Sequence, residues 1–315
     1  MSAPTTTYLE AEIATQPGDW LHAADTARDH AQLLPTPGER VAVIGCGTSL
    51  YMAQAYSVLR EAAGHGVTDA WPASEHRLGR GYDRVLAITR SGTTTEVADV
   101  LRDLRGGAYG TVAATVVTAT PGTPVVDLAD PILMPEIDEQ SIVQTRFATG
   151  TLALLRSHLG DDLATAAKQA QKVLDDCAEH GDAAVLGPAV DADQITFVGR
   201  GWTNGLAEEA GLKLREAAQL WTESYPMMEY RHGPVSISAP GRVVWAFGPP
   251  VDGFAADVAA TGAHFENSDI DPMADLVRVQ RLCLVKARQA GLNPDEPRNL
   301  TRSIILSPPT GPDQV

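Results

Sequence analysis

The chain has 315 residues, of which 44% are hydrophobic and 20% charged, enough for two globular domains of ordinary size. Its 40 Asp and Glu against 24 Lys and Arg leave a net charge of -16, which excludes a nucleic-acid binder that neutralises phosphates with clustered cations. A mean hydropathy of -0.10 and apolar runs far too short for a membrane span point to a soluble protein with no membrane partner.

Residues 1–16 carry Glu10 and Glu12 and no basic-then-apolar order, so no secretory signal is expected. Periodicity predicts a helix over 19–34, then alternating strands and helices. Strands are expected at 41–44, 67–71, 85–88, 114–117 and 132–134, with helices at 50–63, 96–104 and 149–159. A helix over 163–179 links to a second half, with a strand at 195–198, a long helix near 207–220 and a strand at 243–247. Only a weak strand candidate at 264–266 precedes a last helix near 273–290, with irregular chain expected between 253 and 272. Alternation of this kind predicts an α/β protein with parallel sheets covered on both faces, the second half shortened. The expected domains are 1–185, 186–292 and a tail, 293–315, that contributes to the site.

One unit occurs twice. Val41-Ala-Val-Ile-Gly-Cys-Gly-Thr-Ser49 is matched by Ile195-Thr-Phe-Val-Gly-Arg-Gly-Trp-Thr203: a buried strand, a Gly-x-Gly turn, then hydroxyls opening a helix. Glycines let the backbone turn sharply, and the helix amides that follow attract an anion. A second hydroxyl-rich loop, Thr89-Arg-Ser-Gly-Thr-Thr-Thr-Glu96, also leaves a strand at the sheet edge where ligands bind. Helix capping would account for one such loop; two in one half point to a phosphate. With the negative net charge, local hydroxyls and amides must hold it. Gly45-x-Gly47 lacks the third glycine of a dinucleotide site, so no cofactor is expected. Three scattered cysteines, Cys46, Cys177 and Cys283, match neither a disulfide framework nor a zinc set, so no metal is expected and the cytoplasm is the simplest location.

These motifs resemble those of the sugar isomerase (SIS) domain family, whose members bind phosphosugars. The resemblance is carried by Gly45-Cys-Gly-Thr-Ser49, Ser74-Glu75, the 89–96 loop, Gln144-Thr145, Gly199-Arg-Gly201, Glu209, Leu212-Lys-Leu-Arg-Glu216, Glu229-x-x-His-Gly-Pro234 and Pro297-Arg-Asn-Leu300. It is nearest to the isomerase portion of glucosamine-6-phosphate synthase, to stand-alone aminosugar-phosphate isomerase/deaminases and to fructosamine-phosphate deglycases. It implies two tandem flavodoxin-like, three-layer α/β/α halves. It also implies a phosphate held by Thr48, Ser49, Thr89, Arg90, Ser91 and Thr94, with Gly47, Glu209 and Lys213 also at the site. Arg90, standing where the synthase has glutamine, is expected to add a bidentate phosphate contact.

Glu216 aligns with the family's general base. His232 aligns with a histidine that opens the sugar ring and reaches in from a neighbouring subunit, which implies a homodimer. Read without the resemblance, Glu209, Lys213 and Glu216 at helical offsets also fit a structural ion-pair cluster. Arg302 stands where the synthase has its Schiff-base lysine, and a guanidinium cannot serve as an amine nucleophile. Arg302 is expected to polarise a carbonyl or bind a charged substituent, or only to pin the tail.

The leading expectation is a phosphosugar isomerase acting on a 6-phosphorylated amino sugar such as glucosamine 6-phosphate, with loss of ammonia. No glutamine-hydrolysing segment is read ahead of the motifs, which fits release of ammonia rather than its use. The alternatives are a fructosamine 6-phosphate deglycase, with Arg302 on the amino-acid carboxylate, and a non-catalytic phosphosugar-binding regulator.

Overall fold

A computed structural model describes residues 6–306. The first half opens with α1 (Tyr8–Asp29) and continues β1 (Val41–Gly45), α2 (Thr48–Ala62), β2 (Thr68–Pro72), β3 (Arg84–Ile88), α3 (Thr95–Arg105), β4 (Ala113–Thr118), β5 (Asp130–Leu133) and α4 (Arg146–His158). Two helices, α5 (Ala164–His180) and the short α6 (Asp182–Leu186), lead to the second half. That half comprises β6 (Gln194–Gly199), α7 (Thr203–Ala218), β7 (Thr222–Pro226), β8 (Arg242–Phe247), α8 (Phe254–Ala260), β9 (His264–Asn267) and α9 (Pro272–Gln289).

Both sheets are parallel throughout, with strand orders β2-β1-β3-β4-β5 and β7-β6-β8-β9. The first order is that of flavodoxin, whose ligand crevice opens where the winding reverses, between the first and third strands. The second repeats it with one strand fewer, so the expected shortening of the second half is present. Central strands β1 and β6 are buried at every position, as helices on both faces of a parallel sheet require.

The glycines ending these two strands explain the repeated motif. A Cβ on Gly45 would lie 2.7 Å from the Ser49 carbonyl carbon, and one on Gly199 2.3 Å from the Thr203 carbonyl oxygen. Only a residue without a side chain lets each helix start this close to its strand. The halves themselves meet through α2 and α7. Gly205 makes that contact tight: a Cβ there would stand 2.4 Å from the Tyr51 carbonyl oxygen.

Two elements differ from the sequence expectation. Helix α1 starts at Tyr8, not near 19, and runs through Pro17. Proline has no N–H for the Ile13 carbonyl, and the Gln16 side-chain amide donates to that carbonyl instead at 3.3 Å. Between 253 and 272 the weak strand candidate is present as β9, and the second sheet has one strand fewer than the first; the seven-residue α8 stands where irregular chain was the alternative.

Candidate functional site

The loops after β1 and β3 face each other at the ligand edge of the first sheet. Between them lies a narrow cavity lined by Cys46, Ser49, Thr89, Arg90, Ser91 and Thr94, with Gln144 and Arg302 closing it. Two helices point their N-termini here. Gly47, with φ 54°, precedes α2 and Thr94 precedes α3, and neither helix end has a side-chain cap. The capping explanation for these hydroxyls therefore fails at Thr94. The helix-end amides and the hydroxyls of Ser49, Thr89 and Ser91 are the donor types an anion would use here, although the first amide of α3, that of Thr95, donates to the Ile304 carbonyl at 3.1 Å.

Arg90 corrects one expectation. Its guanidinium is buried and turned into the protein: Nη1 donates to Glu139 Oε2 at 3.3 Å and to the Ser141 carbonyl at 3.0 Å. Nη2 donates to the carbonyls of Ile142 at 3.1 Å and Arg302 at 3.2 Å. The expected bidentate fork is thus spent on holding the 139–142 loop against the site. Glu139 anchors the other end of that loop. Its Oε1 accepts the amides of Thr145 at 2.5 Å and Arg146 at 2.9 Å, so it caps α4 from six residues upstream. Behind it, Glu12 Oε1 accepts the Gln140 amide at 2.5 Å. Burial and the neighbouring Glu139 charge push the Glu12 carboxyl up to about 7.

For Arg302 three roles were expected, and the contacts present are those of a residue that pins the tail: its guanidinium is hydrogen-bonded to Asp138 and to the Glu139 carbonyl of the same loop, while the side chain also lines the cavity.

The other half contributes through α7. Lys213 is 1% exposed and its Nζ donates to Thr48 Oγ1 at 2.8 Å and to Glu216 Oε2 at 2.5 Å. This single ammonium joins the loop after β1 in one half to Glu216, the expected base, in the other. Glu209 is 0% exposed; neither of its oxygens has a hydrogen-bond partner among the described residues, and Lys213 Nζ stands 3.6 Å away. Burial pushes the Glu209 carboxyl up to about 7, against the attraction of Lys213. For Lys213, burial works to lower the pKa, and the charges of Glu209 and Glu216 outweigh it and hold the ammonium above its ordinary range. The three residues are therefore an ion-pair cluster, as their spacing allows, and a polar floor reaching the first-half loop. The Glu216 side chain is 18% exposed and is the member open to solvent.

Glu209 sets a pH dependence. A carboxyl whose folded pKa exceeds its unfolded value of 4.5 binds protons more tightly when folded. Stability is therefore lost as pH rises from the unfolded value through about 7. Glu209→Gln is expected to flatten this part of the pH–stability curve in denaturant titrations; a curve parallel to that of the unsubstituted chain would refute the assignment.

His232 is not brought to this cluster within the chain. It follows the turn Glu229–Arg231, is exposed, and has no side-chain hydrogen bond or ion pair among the described residues. The Cys46 thiol, pushed up to about 11 by burial and by Glu96, stays protonated as a packing residue. No cluster of potential metal ligands occurs among the described residues, and none of their helices is long and apolar enough to cross a membrane. Gln144, Glu139 and Glu12 were not among the predicted site residues. Gln144 lies within a quoted motif, but the capping role of Glu139 has no short-range spacing to reveal it.

No family model matches the chain. It is 26% identical over 310 residues to glutamine–fructose-6-phosphate aminotransferase (isomerizing) of Methanothermobacter thermautotrophicus, covering 85% of this chain and 52% of that protein. The enzyme of the same name from Halobacterium salinarum is 28% identical over 314 residues, covering 84% and 51%. The chain thus spans about half the length of the curated relatives it matches. Among solved structures, glucosamine-6-phosphate deaminase from Thermotoga maritima superposes with a TM-score of 0.77 at 22% identity, covering 95% of this chain and 100% of that one. Tagatose-6-phosphate ketose/aldose isomerase from Escherichia coli gives a TM-score of 0.78 at 17% identity, covering 98% and 99%. In fold the chain matches these solved structures, and in sequence it is similar to about half of glutamine–fructose-6-phosphate aminotransferase, the likeness expected from its resemblance to the sugar isomerase (SIS) domain proteins.

Proposed function

We propose that the chain is a phosphosugar isomerase that converts a 6-phosphorylated amino sugar, such as glucosamine 6-phosphate, with loss of ammonia. The observation that carries this reading is the Lys213 bridge from Thr48, next in the chain to the cavity-lining Ser49, to Glu216. A phosphate held at Ser49, Thr89, Ser91 and Thr94 leaves the sugar carbons to extend toward the second half. Glu216 takes the proton from C2 of the open-chain aldehyde, giving an enaminol, and the proton returns at C1. The product is an imine at C2, which one water hydrolyses to the ketose phosphate and ammonia. The substrate supplies the nitrogen, so no enzyme lysine is needed and arginine at 302 is compatible with turnover. The deaminase and the isomerizing aminotransferases among the relatives support this choice of substrate class. The deglycase reading would need Arg302, which donates to Asp138 and to the Glu139 carbonyl, to hold an amino-acid carboxylate as well. Incubation with glucosamine 6-phosphate is expected to yield fructose 6-phosphate and ammonia in equal amounts; their absence would refute the reading for that substrate.

A homodimer with shared sites belongs to the same proposal, supported by the exposed His232 and the family resemblance. Mixing refolded Glu216→Gln and His232→Ala chains tests it. Half of the random dimers pair the two variants, and one of their two sites regains both groups, so about a quarter of the original activity is expected to return. A mixture no more active than its parts would show that His232 does not work in trans.

A further inference from the structure

Residues 227–238, which present His232, leave the carboxyl end of β7 and are fastened on both sides of the histidine. The Met227 amide donates to the Gly199 carbonyl at 2.7 Å. Tyr230 is buried in an aromatic stack, its ring 6.2 Å from that of Tyr225 and 5.9 Å from that of Phe254, and its hydroxyl pairs with Ser238 Oγ. Arg231 reaches the other way. Its Nε and Nη2 both stand 2.7 Å from Asp257 Oδ2 on α8, and Nη2 also donates to the Asp252 carbonyl at 3.2 Å. The same guanidinium lies 5.4 Å from the centre of the Phe254 ring. Strands β7 and β8 flank β6, so this clamp ties the turn after β7 to the chain after β8 across the carboxyl edge of the second sheet. His232 itself, exposed, holds nothing among the described residues. A rigid mount beneath an unpaired imidazole is what a proton-transferring group needs when the atom it serves lies on another molecule.

We propose that Arg231 is a positioning residue that acts through His232: its clamp on Asp257 and the Asp252 carbonyl fixes the direction in which the imidazole enters the neighbouring subunit's cavity, and so sets the rate of sugar-ring opening there. The proposal rests on the shared-site reading above. In that step the bond between C1 and the ring oxygen breaks with its electron pair going to the oxygen, which takes a proton from His232. The C1 hydroxyl loses its proton to water and becomes the aldehyde, and His232 regains a proton from solvent, so none is consumed. Proton transfer needs donor and acceptor within hydrogen-bond reach, and a small misplacement of the acid is costly. An arginine suits the clamp because its planar fork serves a carboxylate and a carbonyl at once while stacking on a ring; a lysine in its place would keep only part of this.

Arg231→Ala is expected to lower kcat for glucosamine 6-phosphate about 10- to 100-fold, with thermal melts confirming the fold. Calorimetric binding of the open-chain alcohol glucosaminitol 6-phosphate, which needs no ring opening, should be unchanged, and Arg231→Lys should recover part of the rate. Complementation then separates positioning from general damage. Refolded together with Glu216→Gln, Arg231→Ala should regain about a quarter of the original activity, as expected for His232→Ala. Refolded with His232→Ala it should regain none, because both lesions fall on the same side of the shared site. Asp257→Asn, at a half-exposed position, is expected to behave as Arg231→Ala with a smaller loss. Recovery between Arg231→Ala and His232→Ala, or an unchanged kcat in Arg231→Ala, overturns the positioning role and leaves the shared site intact. Should Arg231→Ala not fold, an unchanged kcat in Asp257→Asn overturns it equally. No recovery between His232→Ala and Glu216→Gln overturns the shared site, and the positioning role with it.

Discussion

Glu216→Gln is expected to lower turnover of the amino sugar phosphate by about 10²- to 10⁴-fold, the range for loss of a general base, while leaving sugar-phosphate binding in place. The amide keeps the size of the carboxyl, and its oxygen can still accept from Lys213 Nζ, which now stands 2.5 Å from Glu216 Oε2. What is lost is the basic oxygen that takes the C2 proton. Exchange of that proton with deuterated solvent isolates the step from later hydrolysis of the imine. A variant that still exchanges the C2 proton at the original rate would move the base elsewhere. Loss of binding together with loss of turnover would instead mark Glu216 as a structural member of the ion-pair cluster.

The largest effect on stability is expected at Lys213→Met. The ammonium is fully buried, and its removal leaves Glu209 without a neighbouring cation and Glu216 without its partner. Breaking a buried pair from one side costs about 3–5 kcal/mol, because the remaining charge has no compensation. Thermal melts near neutral pH should show the loss as a drop on the order of 10 °C. Adding Glu209→Gln removes one stranded carboxyl and is expected to restore part of it. Below the Glu209 value of about 7 the carboxyl takes up a proton, so the same substitution should cost less in mildly acidic buffer. A melting temperature unchanged by Lys213→Met would contradict the buried bridge between the halves.

The core of the fold was legible because its signals are local. Continuous apolar runs at β1, β3, β6 and β8 read as buried parallel strands, and the first three were followed by a helical stretch. Strand β7 gave no such signal, since Thr222-Glu-Ser-Tyr-Pro226 is a polar, half-buried edge. Helix α1 begins well before the expected 19 and carries Pro17 inside it, a residue that ordinarily breaks a helix. The Gln16 side chain that repairs it forms a contact visible only in three dimensions. At the site, the hydroxyl loops and the Glu209–Lys213–Glu216 spacing were plain from sequence. That Thr48 receives Lys213 across 165 positions was not, nor that Arg90 and Arg302 face inward to the 138–142 loop. Residue type indicated the right neighbourhood; side-chain direction decided the role.

The missing strand in the second sheet carries a consequence for stoichiometry. In the first half, β5 and the stretch leading to α4 bring Glu139 and Gln144 over the crevice as a wall. In the second half the chain passes from β9 to α9 within a few residues, so no equivalent wall is built. The hydroxyl of Thr203, counterpart of the first-half loop residues, is already turned onto the Phe247 carbonyl. On the proposed function, duplication of the scaffold thus leaves one receptacle and one buttress, and a chain of this design is expected to take up a single ligand molecule rather than two.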